Sequence, residues 1–492
     1  MSVPSPYHSS WKFNRELKSA WFAIIGFIVV VGGLLLAAPQ FLIPIFPVAS
    51  LGVGIFLYVR YPAMYIGFTW WMWFVGPTVR RIIDYRCGFI TPGVSVLGPL
   101  LVTSISICTL LKYLPKIFFR GKDALVFALC SFSVIYGFFV GLIRNPIISY
   151  PREIIVLMSW LCPISFAFFL YINWRNYPEI RQTIEKTFLW GVFAMGIYGI
   201  FQFVTVPEWD KFYVLENDLT WLGKPLPFQI RVFSLMRDTQ PFAYTMMAGL
   251  LLLLGKPSKF GYVVSALGYV VFLLSRLRTA WACWVISVVS VILTFRRSRQ
   301  IKLIISISIV FLFIFGLTQI GPFAEIINSR FSSLGTLESD NSLQSRTSSF
   351  ERGINFALFE FIGVGLVGAE GIPVPAEAGG FIQTINPSDH GYLAILVCLG
   401  WFGAGLYMIG LLTELYRLFN CGKKIELDTF FVVARAIVLA SIMRMITSNI
   451  TFRDFALPFW GFLGIALAAR KYHFHQNILS SKLDLKGETG SV

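Results

Sequence analysis

Apolar residues in this chain come in long runs, not in the alternation of half-buried strands or the single stripe of a water-facing helix. In the first part the runs cover Trp21–Ala38, Phe41–Tyr58, Met64–Thr78, Val94–Leu111, Ala124–Leu142, Ile154–Tyr171 and Phe188–Val206. In the second they cover Gln240–Leu254, Tyr262–Leu274, Ala280–Leu293, Leu303–Leu317, Tyr392–Leu412, Phe430–Ile446 and Ala456–Ala469. Most are near the ~20 residues that cross about 30 Å of hydrocarbon. Lipid offers the backbone no hydrogen-bond partner, so runs of this kind must be helical. The expected fold is all-α, a polytopic integral membrane bundle of about 12–14 transmembrane helices, several of them short enough to be broken or re-entrant. The run from Trp21 leads straight into the next after Pro39, which reads as a span and not as a cleavable signal peptide.

The polar intervals set the organisation. Residues 1–20 and 471–492 read as polar, poorly ordered ends; 21–319 as a helical block with a long connection near 207–239; 320–389 as a large extracytoplasmic loop; and 390–470 as the closing helices. Inside the large loop, Ser342–Phe361 has helical spacing and follows the capping-type residues Asp340, Asn341 and Ser342. Its apolar positions Leu343, Phe350, Ile354, Leu358 and Phe361 predict a face turned to the bundle or the membrane, and Gly353 argues against an unbroken helix. Gly363-Val364-Gly365-Leu366-Val367-Gly368 spells GxGxxG. It follows a helix and lacks a βαβ setting, so it predicts a turn that returns the loop to the protein, not a dinucleotide site.

Composition agrees with the pattern: 56% of the 492 residues are hydrophobic and 13% charged, far from the usage of soluble domains. The net charge of +16 is an orientation signal. With a cytoplasmic N-terminus, Lys and Arg gather on the inner connections and acids on the outer ones. No clustered basic face or aromatic-basic motif points to nucleic acid. The seven cysteines stand singly, with no disulfide framework or metal-ligand spacing, and no metal or cofactor motif is found.

On the face this topology places outside, Arg231, Arg237, Arg276, Arg278, Arg346 and Arg352 adjoin helix ends. One such arginine is usually an interfacial or ion-paired residue. Ser275-Arg276-Leu277-Arg278-Thr279 is different, because it sets two cations between short apolar runs, where the planar guanidinium suits a phosphate. His390, in Ser388-Asp389-His390-Gly391-Tyr392, is the one histidine on that face, either a cap or a base. His473 and His475 read as part of a solvated tail rather than a metal site.

Taken together these segments resemble the O-antigen ligase and polymerase superfamily of bacterial envelope glycosyltransferases, exopolysaccharide polymerases included. The resemblance rests on Arg231-Val232-Phe233-Ser234 through Asp238 to Ala243, and on Leu274-Ser275-Arg276 through Trp281. It rests also on Arg330 to Ser333 with Asp340-Asn341-Ser342, Arg346 and Ile362 to Gly365, and on Asp389 to Leu393 with Leu399-Gly400 and Gly403. Arg80 to Arg86 resembles the exopolysaccharide subset. Where many relatives read His-Asn, this chain has His390-Gly391, which points to the polymerase branch.

The resemblance implies transfer of a glycan from a polyprenyl diphosphate carrier to a saccharide or lipid-linked acceptor, without metal or other cofactor, at the periplasmic side of the bacterial inner membrane. It leaves a chain-length regulator open as a partner. It implies Arg231, Arg276 and Arg278 on the diphosphate, Arg346 on loop order or acceptor anions, His390 as base or acceptor ligand, and Asp389 and Tyr392 beside the substrate. The competing reading is a transporter of a small anion or saccharide. That class usually shows paired helix breaks in two inverted halves, whereas the breaks here concentrate in the second half.

Overall fold

The computed structural model describes residues 10–89, 97–120, 124–144, 150–317, 341–370, 372–374, 383–385, 390–422, 425–451 and 453–488. The helices are α1 (Ser10–Ala37), α2 (Leu42–Arg60), α3 (Pro62–Cys87), α4 (Leu97–Ser104), α5 (Ile107–Arg120), α6 (Leu125–Arg144), α7 (Tyr150–Ile172), α8 (Tyr177–Thr205) and α9 (Glu208–Glu216). They continue as α10 (Thr239–Gly255), α11 (Lys259–Leu274), α12 (Arg278–Thr294), α13 (Arg297–Leu317), α14 (Asn341–Phe359), α15 (Gly391–Phe419), α16 (Thr429–Arg444) and α17 (Ala456–Glu488). Among the described residues the apolar runs fall in helices, residues 94–96 lying outside them, and the protein is a polytopic helical membrane protein. One addition to the all-α expectation is a short antiparallel hairpin, β1 (Ile372–Val374) against β2 (Gln383–Ile385), with Ile372 opposite Ile385.

By length and composition, seven helical segments among the described residues suffice to cross a membrane. Three further apolar helices, α10, α11 and α12, are shorter. Large apolar side chains point away from the protein, Phe22 and Ile143 being 74% and 84% exposed. Water would penalise such a surface, and hydrocarbon does not. Inside, α6 runs along α15 and α7 along α17, with glycines at the closest approaches. A Cβ on Gly410 would meet the Cys130 sulfur at 2.6 Å, and one on Gly464 the Ala167 carbonyl oxygen at 2.5 Å. Small residues at crossings let dispersion hold helices together where no hydrophobic effect operates.

Several boundaries move outward from the apolar runs. Val94–Leu111 divides into α4 and α5 at Ile105–Ser106, where the Ser106 hydroxyl donates to the Thr103 carbonyl at 2.7 Å. α17 continues to Glu488, so the segment after Lys471 is helical where the sequence reading ends the order. The cause is a buried anchor at Asp428. This carboxylate accepts from Tyr177 Oη at 2.6 Å, Arg181 Nη1 at 2.9 Å and His473 Nε2 at 2.9 Å. Burial pushes the Asp428 carboxyl up, and these donors outweigh it, holding it below its ordinary value. His475 packs on Trp174 with ring centres 5.1 Å apart. The two histidines thus dock a helix and do not belong to a solvated tail.

The large loop returns to the bundle through the glycine-rich turn. α15 is broken at Gly400, whose φ of 62° lies in the left-handed region. There the segment after α14 pairs with it: Val364 N–H donates to Val397 O at 3.0 Å, Gly365 N–H to Cys398 O at 3.1 Å, and Trp401 N–H to Phe361 O at 2.9 Å. Gly363 and Gly365 have φ of 89° and 90°. A Cβ on Gly363 would stand 2.4 Å from Gly400 N, and one on Gly365 would stand 2.3 Å from Gly141 Cα.

α14 itself is unbroken. Its Gly353 is the seat for Leu393, whose Cδ2 would be 2.4 Å from an added Cβ. The face turned to the bundle is therefore Ile354, Phe356 and Ala357 against Leu393 and Val397. Of the expected stripe, Ile354 packs on the bundle and Phe350 on the His390 ring, while Leu358 and Phe361 are 48% and 67% exposed.

Gly365→Ala tests the clamp. A side chain at positive φ costs about 1–2 kcal/mol, and the clash with the α6 backbone adds to it. The variant is expected to melt well below the wild type in detergent, with loss of the monodisperse peak on size exclusion. Gly405→Ala, where an added Cβ meets nothing within 4 Å, is expected to match the wild type.

Candidate active site

The starts of α10, α12 and α15 and the end of α16 meet at one end of the bundle. Gly391 N–H donates to Met445 O at 2.7 Å, and His390 Nδ1 lies 2.7 Å from Ile446 O. A carbonyl only accepts, so the proton of a neutral His390 sits on Nδ1 and the lone pair on Nε2. The His390 ring packs at 4.9 Å on Phe350 of α14, the helix the glycine clamp holds. Tyr392 Oη donates to Ile442 O at 3.3 Å, so its described bond goes to α16.

The same terminal turn of α16 reaches α10. Arg444 Nη2 donates to Gln240 Oε1 at 3.2 Å, and Ser448 Oγ to the same oxygen at 3.1 Å. The Arg444 guanidinium lies 3.7 Å over the ring of Tyr244, whose hydroxyl is 3.9 Å from Cys283 Sγ of α12. Neither α10 nor α12 has a side-chain cap at its start. Helix starts carry partial positive charge, so this end of the bundle favours an anion.

Arg231 and Arg276 are neighbours although they are far apart in sequence, because Val232 N–H donates to Leu274 O at 3.1 Å. Arg276 has φ of 54° and donates to Phe228 O at 3.1 Å and Gln229 O at 3.5 Å. Its described bonds therefore hold the turn against the connection between α9 and α10. Arg278 is the first residue of α12. Arg346 has its backbone in α14, and Asp389 lies outside the described residues.

The connection bearing Arg231 and Arg237 is fixed by a buried network. Arg81 and Asp210, 1% and 0% exposed, pair at 2.6 Å. Arg81 Nη2 also donates to Ser234 O at 2.6 Å. Gln202 Nε2 donates to Asp210 Oδ2 at 2.7 Å, while its Oε1 accepts the N–H groups of Phe233 and Ser234 at 3.0 and 2.8 Å. These bonds hold Ser234 at φ of 50° and turn the chain toward α10. Arg237 then pairs with Asp454 at 3.5 Å.

Sequence reasoning passed over Arg81, Asp210, Gln240 and Arg444 as site residues. For Arg444 the signal was present, since an ionisable residue within an apolar helix is costly and calls for a reason. Gln240 and Asp210 carry no such signal. Among the described residues, no three His, Cys, Asp or Glu side chains come together as metal ligands would.

The arrangement can bind an anion at the Arg444 guanidinium and the helix starts, beside an imidazole whose Nδ1 is tied to a backbone carbonyl. No curated protein matches the chain. Residues 246–408, from α10 through α15, match the O-antigen ligase family model, and this span holds Arg276, Arg278 and His390. The match over residues 246–408 supports the resemblance to the O-antigen ligase and polymerase superfamily.

Proposed function

We propose that this protein transfers a glycan from a polyprenyl diphosphate carrier to an acceptor sugar at the periplasmic face of the bacterial inner membrane, as a polymerase or ligase of envelope saccharides. The observation that carries the reading is a histidine whose Nδ1 is tied to a backbone carbonyl just after Arg444, in a chain whose matched span also holds Arg276 and Arg278. In the reaction, an acceptor hydroxyl oxygen attacks the anomeric carbon, and the bond from that carbon to the phosphate oxygen breaks. The diphosphate leaves with the electron pair, and the hydroxyl proton passes to His390 Nε2. Arg231, Arg276 and Arg278 offset the charge gained by the leaving group, which removes the need for a metal. Arg346 and Tyr392 flank the acceptor side, with Asp389 next to the base.

In the proposed topology the N-terminus is cytoplasmic. The 207–239 connection and the 320–389 loop are then periplasmic, and the Asp428 anchor is cytoplasmic. The basic residues of the short inner connections support this orientation.

Cysteine labelling tests the orientation. In a background with Cys87, Cys108 and Cys421 replaced, Lys224→Cys is expected to react with an impermeant maleimide in intact spheroplasts, and Lys259→Cys only after lysis. The opposite pattern inverts the topology.

His390→Ala is expected to lower glycan transfer at least about 100-fold, the usual contribution of a general base, while polyprenyl diphosphate binding changes less than about threefold. Transfer at the wild-type rate removes His390 from the mechanism. Arg276→Lys keeps the charge and loses the fork, so transfer is expected to fall about tenfold or more at matched protein levels. Arg296→Lys, at the opposite end of the bundle, serves as control. If both behave alike, Arg276 does not serve the reaction.

A further inference from the structure

Among the described residues, the deeply buried arginines are neutralised, with one exception. Arg81 has Asp210 at 2.6 Å and Arg435 has Glu426 at 3.1 Å. Arg444 is 3% exposed, yet no carboxylate among the described residues lies within ion-pair distance. Its Nη2 bond goes to the neutral amide oxygen of Gln240, and its Nε is buried without a hydrogen-bond partner among the described residues. The two nearby acids are engaged elsewhere. Asp454 pairs with Arg237 at 3.5 Å, and Asp238 accepts from the Thr239 hydroxyl at 3.0 Å.

A buried guanidinium without a counter-charge is costly, and the cost falls when an anion arrives. Two aromatic rings hold this one in place, Tyr244 at 3.7 Å and Phe455 at 4.6 Å from the guanidinium carbon. The rings stabilise the cation by its faces and leave the edge donors free in direction. That edge faces the first turn of α10, whose start has no side-chain cap and carries partial positive charge.

We infer that Arg444 is the buried anchor for a diphosphate group at this site, supplying charge-assisted bonds that Gln240 satisfies only weakly. The inference rests on the reading of this end of the bundle as the donor site, and it names a residue outside the matched span 246–408. Arg444 is then a binding residue that holds the leaving group from below, while His390, tied to the same terminal turn through Ile446, faces the acceptor.

The experiment uses the full-length protein in nanodiscs, with inorganic pyrophosphate, a short-chain polyprenyl diphosphate and the unphosphorylated polyprenol as probes. Both diphosphates are expected to raise the melting temperature of the wild type, and the polyprenol is not. A response to pyrophosphate alone identifies a free-diphosphate site and overturns the donor-carrier assignment. A wild type that responds to neither diphosphate overturns the anchor altogether.

Arg444→Met keeps the volume and removes the charge. Without probe it is expected to melt no lower than the wild type, and its affinity for both diphosphates is expected to fall at least about tenfold. Should Arg444→Met fail to fold, Gln240→Glu decides, because it places a carboxylate against Arg444. That variant is expected to melt higher than the wild type and to lose the diphosphate response. A merely structural Arg444 predicts unweakened diphosphate binding in whichever variant folds, and that result overturns the proposal. Wild-type protein that binds both diphosphates through Arg444 but transfers no glycan sinks the transferase reading and leaves the anchor standing. Active protein whose Arg444→Met variant binds diphosphate unweakened does the reverse.

Discussion

In hydrocarbon, a helix that breaks must have its lost hydrogen bonds remade by the protein itself. The break of α15 at Gly400 leaves the carbonyls of Val397 and Cys398 and the N–H of Trp401 to be satisfied, and the segment after α14 takes all three. Exchange of this kind needs two backbones in contact, which is why glycine stands at 363, 365 and 400. Much of the candidate site follows from it. Once the end of α14 is fixed, with Glu360 paired to Arg144, Gly353 seats Leu393 and Phe350 meets the ring of His390. The surroundings of the proposed base are thus set by backbone bonds well inside α15.

Charge does the corresponding work on the other side. The connection between α9 and α10 has only a small apolar cluster of its own, around Tyr213, Val214, Leu222, Ile230 and Phe233. The Arg81–Asp210 pair and Gln202 give it a single path, with Ser234 in the left-handed region, and Val232 joins it to the turn after α11. Arginines that serve a leaving group act best when held before the charge develops, since no reorganisation is then needed. A buried, paired arginine in one place and cationic groups held in position nearby are consistent with that requirement.

How much of this the sequence displayed depends on the kind of interaction. Spans follow from hydropathy alone, and the apolar runs are helical wherever they lie among the described residues, apart from short breaks and end residues. The turn at Gly363–Gly365 was legible from letters that matched a nucleotide motif in the wrong setting. Polar helix ends were not, because the order of α17 past Lys471 comes from a carboxylate at Asp428 that no local pattern announces. The stripe of α14 shows a similar limit: period fixes which residues share a face, and the partner decides which of them are buried. Arg231 and Arg276 were singled out for their charge, but their adjacency rests on a backbone bond between two connections. The network below them joins α3, α8 and α9 through residues that look like ordinary helix positions.

The terminal turn of α16 connects the two halves of the proposed chemistry. Met445 and Ile446 offer carbonyls to Gly391 and His390, while Arg444 and Ser448 share the side-chain oxygen of Gln240. The proposed base and the proposed anion-holding arginine are therefore tied to one short piece of backbone. That closeness also gives a physical reason for the glycine after His390. A Cβ at position 391 would lie 3.0 Å from the Ser448 carbonyl oxygen and 3.1 Å from Met445 Cβ. A larger residue there would press α16 away from α15 and, with it, the carbonyl that keeps the proton on His390 Nδ1. In this chain the smaller residue lets the turn approach, and the approach fixes both the tautomer of the histidine and its distance from the arginine-bearing end of α16.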